Sequence, residues 1–113
     1  MAGKDYGIKV YRIGYTDAQK ANLYLNTTLV KARARAIRDY GSDMKGGSQV
    51  EIRPFRTPLE QGRDSWIGYD GARGWFYYTS YHYDQLYRGY RKVKHVLKKD
   101  GTLGAIIYDE RRR

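Results

Sequence analysis

One stretch of this chain is helical in pattern, and it decides the fold class. It is LVKARARAIRDYG, residues 29–41. Ala, Leu, Lys and Arg are strong helix formers. Asn26, Thr27 and Thr28 supply an N-cap signal in front of it, and Gly41 suits the position just past a helix end. A helix over about 27–40 is expected. At 100° per residue, Leu29, Val30, Ala32, Ala34, Ala36, Ile37 and Tyr40 fall within one broad arc, and Lys31, Arg35 and Arg38 fall opposite. Such a helix must bury its apolar arc against something, while its basic side faces solvent. Arg33 projects among the apolar positions. It is read as snorkelling past their edge; the competing reading has it held by a buried carboxylate or reaching through to a site.

The partner for that arc is a sheet, because the remaining segments alternate with the period of strands. YGIKVYRI (6–13) sets Ile8 and Val10 against Lys9, Tyr11 and Ile13, and QVEIRPF (49–55) sets Val50 and Ile52 against Glu51 and Arg53. SWIGY (65–69) and GWFYYTSYH (74–82) are aromatic strands joined by the turn DGARG. RKVKHVLK (91–98) and LGAIIY (103–108) flank KDGT, where Asp100-Gly101 is the preferred pair for a two-residue type I′ turn. Pairing outward from that turn puts Val93, His95 and Leu97 on one face with Ile106 and Tyr108, and Lys94 and Lys98 on the other. Residues 17–25 fit either a second strand or a short helical lead-in, SDMKGGS (42–48) reads as a connector, and 84–90 has no clear pattern. The expected architecture is α+β: an antiparallel sheet of about five to six strands with one main helix on one face. It forms a single domain over 1–113, with a mobile basic tail at 110–113.

The chain has 113 residues, 22 Lys and Arg against 12 Asp and Glu, and a net charge of +10. That balance favours an anionic partner: nucleic acid, a nucleoprotein complex, or a protein with an acidic surface. There is no Cys, which excludes disulfides, zinc ribbons and thiol nucleophiles. The start, MAGKDYGIKV, lacks a signal-type apolar run, and no stretch reaches the ~20 apolar residues of a spanning helix. A cytoplasmic protein that does not engage the membrane is expected.

GWFYYTSYHY, residues 74–83, concentrates one Trp, one Phe and four Tyr. As a strand it places Trp75, Tyr77, Thr79, Tyr81 and Tyr83 on one face, and Phe76, Tyr78, Ser80 and His82 on the other. One ring set can then pack under the helix while the other stays exposed. Exposed rings on a basic sheet are what stacking on nucleobases requires, at ~1–3 kcal/mol per base. They can equally be cross-strand pairs that stiffen a thin sheet. The candidate contact residues are Trp75, Tyr77, Tyr81 and Tyr83 together with the basic groups Lys31, Arg35 and Arg38, and Arg88, Arg91, Lys92, Lys94 and Lys98. Tyr87 and Tyr90 interleave with the second group. GYDGARGW has three glycines but no following Gly-Lys-Ser/Thr and no helix, so it reads as a hairpin loop and not a phosphate cradle. His82 and His95 are the only histidines and make no metal spacing; no metal or other cofactor is expected. His95 reads as a satisfied core residue, and His82 is the better acid–base candidate.

These features favour a small, non-enzymatic nucleic-acid-binding module, with RNA or DNA held by stacking and phosphate contacts. One alternative is an inhibitor or structural protein of phage or mobile-element type that binds a nucleoprotein machine through a Tyr- and Arg-rich surface. A second is a metal-independent ribonuclease of toxin type using His82, Tyr83, Arg88 and Arg91.

Overall fold

A computed structural model describes residues 3–55, 65–86 and 88–110. The chain runs β1 (Lys4–Tyr11), β2 (Lys20–Thr27), α1 (Leu29–Lys45), β3 (Gln49–Pro54), β4 (Ser65–Asp70), β5 (Trp75–Asp84), β6 (Gly89–Leu97) and β7 (Leu103–Asp109). The strands form one antiparallel sheet in the order β2-β1-β3-β4-β5-β6-β7. The fold is α+β, with seven strands where five to six are expected from the sequence. The added strand is β2. It resolves the ambiguity of 17–25, because its residues are mostly exposed and only Tyr24 is buried. A strand buried at a single position leaves little hydrophobic periodicity to read.

Strand β2 is an edge, and α1 crosses over β1 to place β3 on the other side of β1. The helix therefore lies over the first half of the sheet, against β1, β2, β3 and β4. Thr28 caps it: its backbone is extended, and its side chain accepts a hydrogen bond from Lys31 N. The helix does not stop at Gly41 but continues to Lys45, so residues 42–45 of the expected connector are helical. Gly41 serves packing instead of termination. A Cβ there would lie 3.4 Å from Cζ of Phe76, so the missing side chain lets the helix approach β5. Termination falls to Gly46, whose N–H reaches Ser42 O and Asp43 O, and to Gly47, at φ +105°.

Ala32, Ala36, Ile37, Tyr40 and Met44 pack on Ile8, Val10, Val50, Ile52, Ile67, Phe76 and Tyr78. This is the expected helix phase except at Val30, which lies in the first turn and is exposed; Lys31, Arg35 and Arg38 are exposed as expected. Arg35 is not simply solvated: its guanidinium lies 4.3 Å from the centre of the Tyr24 ring, whose hydroxyl donates to Asp39 at 2.9 Å.

Arg33 does not snorkel. It is buried, its Nε donates to Gly101 O at 2.8 Å, and its guanidinium carbon sits 4.7 Å from the Tyr78 ring centre. A backbone carbonyl and an aromatic face take the place of the carboxylate considered from the sequence. The Gly101 carbonyl belongs to the last hairpin, and that turn also differs from expectation. Gly101 N donates to Lys98 O, and Lys98 N donates to Thr102 O. Gly101 has φ +89°, whereas Asp100 is not among the residues with positive φ. The loop is thus a three-residue turn, Lys99-Asp100-Gly101, with glycine in the left-handed position, and not a two-residue type I′ turn. The strands of this hairpin shift register twice. His95 still pairs with Ile106, but Tyr108 pairs with Lys94, on the face opposite to the one expected. Among the described residues no helix is long and apolar enough to cross a membrane.

Candidate nucleic-acid interface on the open sheet face

The helix covers one face of the sheet, and the other carries no second layer among the described residues. Alternation along β5 divides its rings as expected: Phe76 and Tyr78 are buried in the core, while Trp75, Tyr77, Tyr81 and Tyr83 lie on the open side. The register then fixes their neighbours. Lys9, Glu51, Trp66, Thr79, Lys94 and Tyr108 form one row that crosses β1, β3, β4, β5, β6 and β7. Beside this row, Tyr81 pairs with Lys92 and Tyr83 with Tyr90.

Tyr77 owes its position to Gly68. A Cβ on Gly68 would lie 2.4 Å from Cζ of Tyr77, so the bare glycine is the berth over which the ring lies. This is the cross-strand packing by which a ring shields a glycine in a sheet. The Tyr77 hydroxyl accepts from Gln49 Nε2 at 3.3 Å. Lys94 Nζ stands 5.0 Å from the Tyr77 ring centre, and Lys92 Nζ stands 5.9 Å from that of Tyr108. Tyr11 packs on Trp66 at 5.4 Å between centroids, and Tyr83 meets Tyr90 edge to face at 5.5 Å. Arg73 lies 5.8 Å from the Trp75 ring centre, and its turn is held by Asp70, which accepts from the N–H groups of Ala72 and Arg73. The GYDGARGW segment is a hairpin loop, with Gly74 at φ +80°.

Six of the twelve residues singled out from the sequence therefore share this face: Trp75, Tyr77, Tyr81, Tyr83, Lys92 and Lys94. The others do not join them. Lys31, Arg35 and Arg38 are on the outer side of α1, across the whole thickness of the molecule. Arg91 alternates to the helix side, where it binds Asp109 at 2.6 Å and lies 3.7 Å from Asp84. The Asp109 carboxylate holds the Arg91 guanidinium above its ordinary pKa. Arg88 occupies a turn at φ +55°, and Lys98 is exposed one residue past β6, where it flanks the β6–β7 turn away from the Lys94 row. Tyr87 and Arg111–Arg113 are outside the described residues. Glu110 is held: its N–H donates to Lys92 O, and its Oε2 accepts from Lys92 N. Sequence reasoning missed Trp66, Arg73 and Tyr108. The first two follow from pairing β4 with β5 around Asp70-Gly71-Ala72-Arg73-Gly74; the third depends on bulges that no pattern announces.

Both histidines lie on the helix side, away from the open face. His82 Nε2 is 2.9 Å from Ser80 Oγ. His95 is not the satisfied residue expected, since its Nδ1 is buried with no hydrogen-bond partner. Burial, and then the nearby His82 and Arg33, lower its pKa. The unfolded chain therefore takes up this proton first as pH falls through about 6.5. The stability tied to a neutral His95 is present above that pH and is lost progressively below it, until the folded site protonates too. Denaturation midpoints of the wild type should fall between about pH 7 and pH 5.5, and His95→Gln should flatten that decline. Parallel pH profiles for the two proteins would contradict it.

Among the described residues no three His, Asp or Glu side chains come together in a way that could hold a metal ion. The chain matches no protein-family model, no curated protein and no solved structure.

Proposed function

We propose that this protein is a non-enzymatic nucleic-acid-binding module whose contact surface is the open face of the sheet. The observation that carries this reading is the interleaving of cations and rings on one uncovered face: Lys94 over Tyr77 and Lys92 over Tyr108, in a chain of net charge +10. Lysines there can neutralise phosphates, and the rings beside them can stack on bases. The histidines stand on the opposite face, so no imidazole is presented to a ligand bound here.

Charge and stacking are separable by salt. Lys92→Ala with Lys94→Ala should weaken binding to all sequences and reduce the slope of log affinity against log salt by ~0.7–0.9 for each phosphate no longer neutralised. Tyr81→Ala with Tyr83→Ala should lower affinity by ~1–3 kcal/mol per stacked base while leaving the slope nearly unchanged. Titrations of the wild type and both double variants at several salt concentrations provide the measurement. Equal slopes and equal affinities in all three would reject the face as a nucleic-acid surface. The reading left ahead would then be a protein partner meeting the same Tyr-rich surface.

A further inference from the structure

Resting on that reading, we infer that the ligand is a single strand, laid across the strands of the sheet over about four nucleotides, with its central phosphates on Lys92 and Lys94. The open face is not flat. A hollow of about 740 Å³ lies between Tyr11, Tyr15, Trp66 and Tyr77 and runs round the end of the sheet to Met44 and Gly47 at the helix C-terminus. A second, of about 160 Å³, is bounded by Trp66, Tyr77 and Tyr81 and reaches the two lysines. A third, of about 470 Å³, begins at those same lysines and ends at Arg73 and Tyr108. The first two share Gln49, Trp66 and Tyr77, and the last two share Lys92 and Lys94. Together they form one trough that follows the row from Glu51 to Tyr108 and continues past it toward the β1–β2 turn.

Crossing from β1 to β7 covers five strand spacings, ~24 Å. That length suits about four extended nucleotides, at the low end of the site sizes of single-strand-binding modules. The chemistry along the trough alternates. Glu51 is buried in the floor at the Trp66 end, and Tyr11 donates to it across 3.4 Å. Trp66 and Tyr77 wall the hollow at that end, so a base lies there. Lys92 and Lys94 line both the second hollow, with its rings, and the third, which also holds Asp70 and Arg73, so the backbone crosses at the lysines. Arg73 and Tyr108 receive the next nucleotide. A duplex cannot use this arrangement, because its base faces are already stacked on one another and only phosphates and groove edges are offered.

Both tryptophans of the chain, Trp66 and Trp75, lie on this face, so intrinsic fluorescence reports binding directly. The experiment titrates the full chain with mixed-sequence single strands from about two to about twelve nucleotides, and with a duplex of the longest sequence, at one salt concentration. Affinity should climb steeply to about four nucleotides and then level off. The single strand should quench the tryptophans, and the duplex should bind at least ~10-fold more weakly. Lys92→Glu with Lys94→Glu should abolish single-strand binding. Duplex binding as tight as single-strand binding, or affinity that keeps rising steeply to twelve nucleotides, would overturn the inference while leaving nucleic-acid binding standing. No binding of any oligonucleotide would remove the functional reading beneath it and point to a protein ligand.

Discussion

Gly101→Asn is expected to cost ~4 kcal/mol or more of folding stability, far beyond what its backbone angle alone would predict. Asn is among the residues that enter the left-handed region most readily, so a turn needing only positive φ would accept it for ~1 kcal/mol. At Gly101 the obstacle is steric. A Cβ there would lie 1.8 Å from Val30 O, 2.8 Å from Val30 C and 3.1 Å from Ala34 N. All three are backbone atoms of α1 and cannot rotate aside. The control is Gly74→Asn: its φ is +80°, and the nearest atom to a Cβ is 4.0 Å away. Chemical denaturation of the two variants measures the difference. Equal destabilisation would mean that the hairpin turn does not rest on the helix.

Arg33→Ala should be the second large effect, ~3–5 kcal/mol. The change removes a charged hydrogen bond to Gly101 O, worth ~1.5–3 kcal/mol, and strips a long stem from the Tyr78 ring. Arg33→Met should recover part of that stability, since it restores the stem but leaves the carbonyl without its donor. Because Arg33 and Tyr78 touch, Arg33→Ala and Tyr78→Leu should be non-additive by ~0.5 kcal/mol or more in a double-mutant cycle. If Arg33→Ala cost no more than a substitution at exposed Lys31, the buried position of this guanidinium would be refuted.

The parts of the fold that are legible in the sequence are those governed by a single period. The helix phase and the division of β5 into two ring faces each depend on one segment's own spacing. What cannot be read depends on two segments at once. Gly41 looks like a stop signal until Phe76 is placed against it, and Asp100-Gly101 suits a two-residue turn until Val30 and Arg33 occupy the adjoining space. Arg33 has the same explanation: its partner is a main-chain carbonyl, and a carbonyl carries no sequence signature. In the candidate site, the β5 rings and Lys92 and Lys94 are accessible to alternation. Grouping them with Lys31, Arg35 and Arg38 is wrong in space, because charge density along a chain says nothing about which layer holds it. Trp66, Glu51 and Tyr108 enter only through register, which the sequence constrains at hairpin turns and leaves open at bulges.

The contact between α1 and the β6–β7 turn also sets an order of events. Arg33 and Gly101 are 68 residues apart in the chain, so the contact that seats the first half of the helix is made by a segment synthesised well after it. Local pairings such as β1 with β2 can form as soon as their residues are available. The Arg33 guanidinium has no Gly101 carbonyl to bind until the β6–β7 hairpin arrives. Closing so long a loop carries an entropic cost before any contact offsets it, and topologies dominated by such pairings fold slowly. For a nascent chain emerging N-terminus first, this contact can close only after the β6–β7 hairpin has followed the helix out.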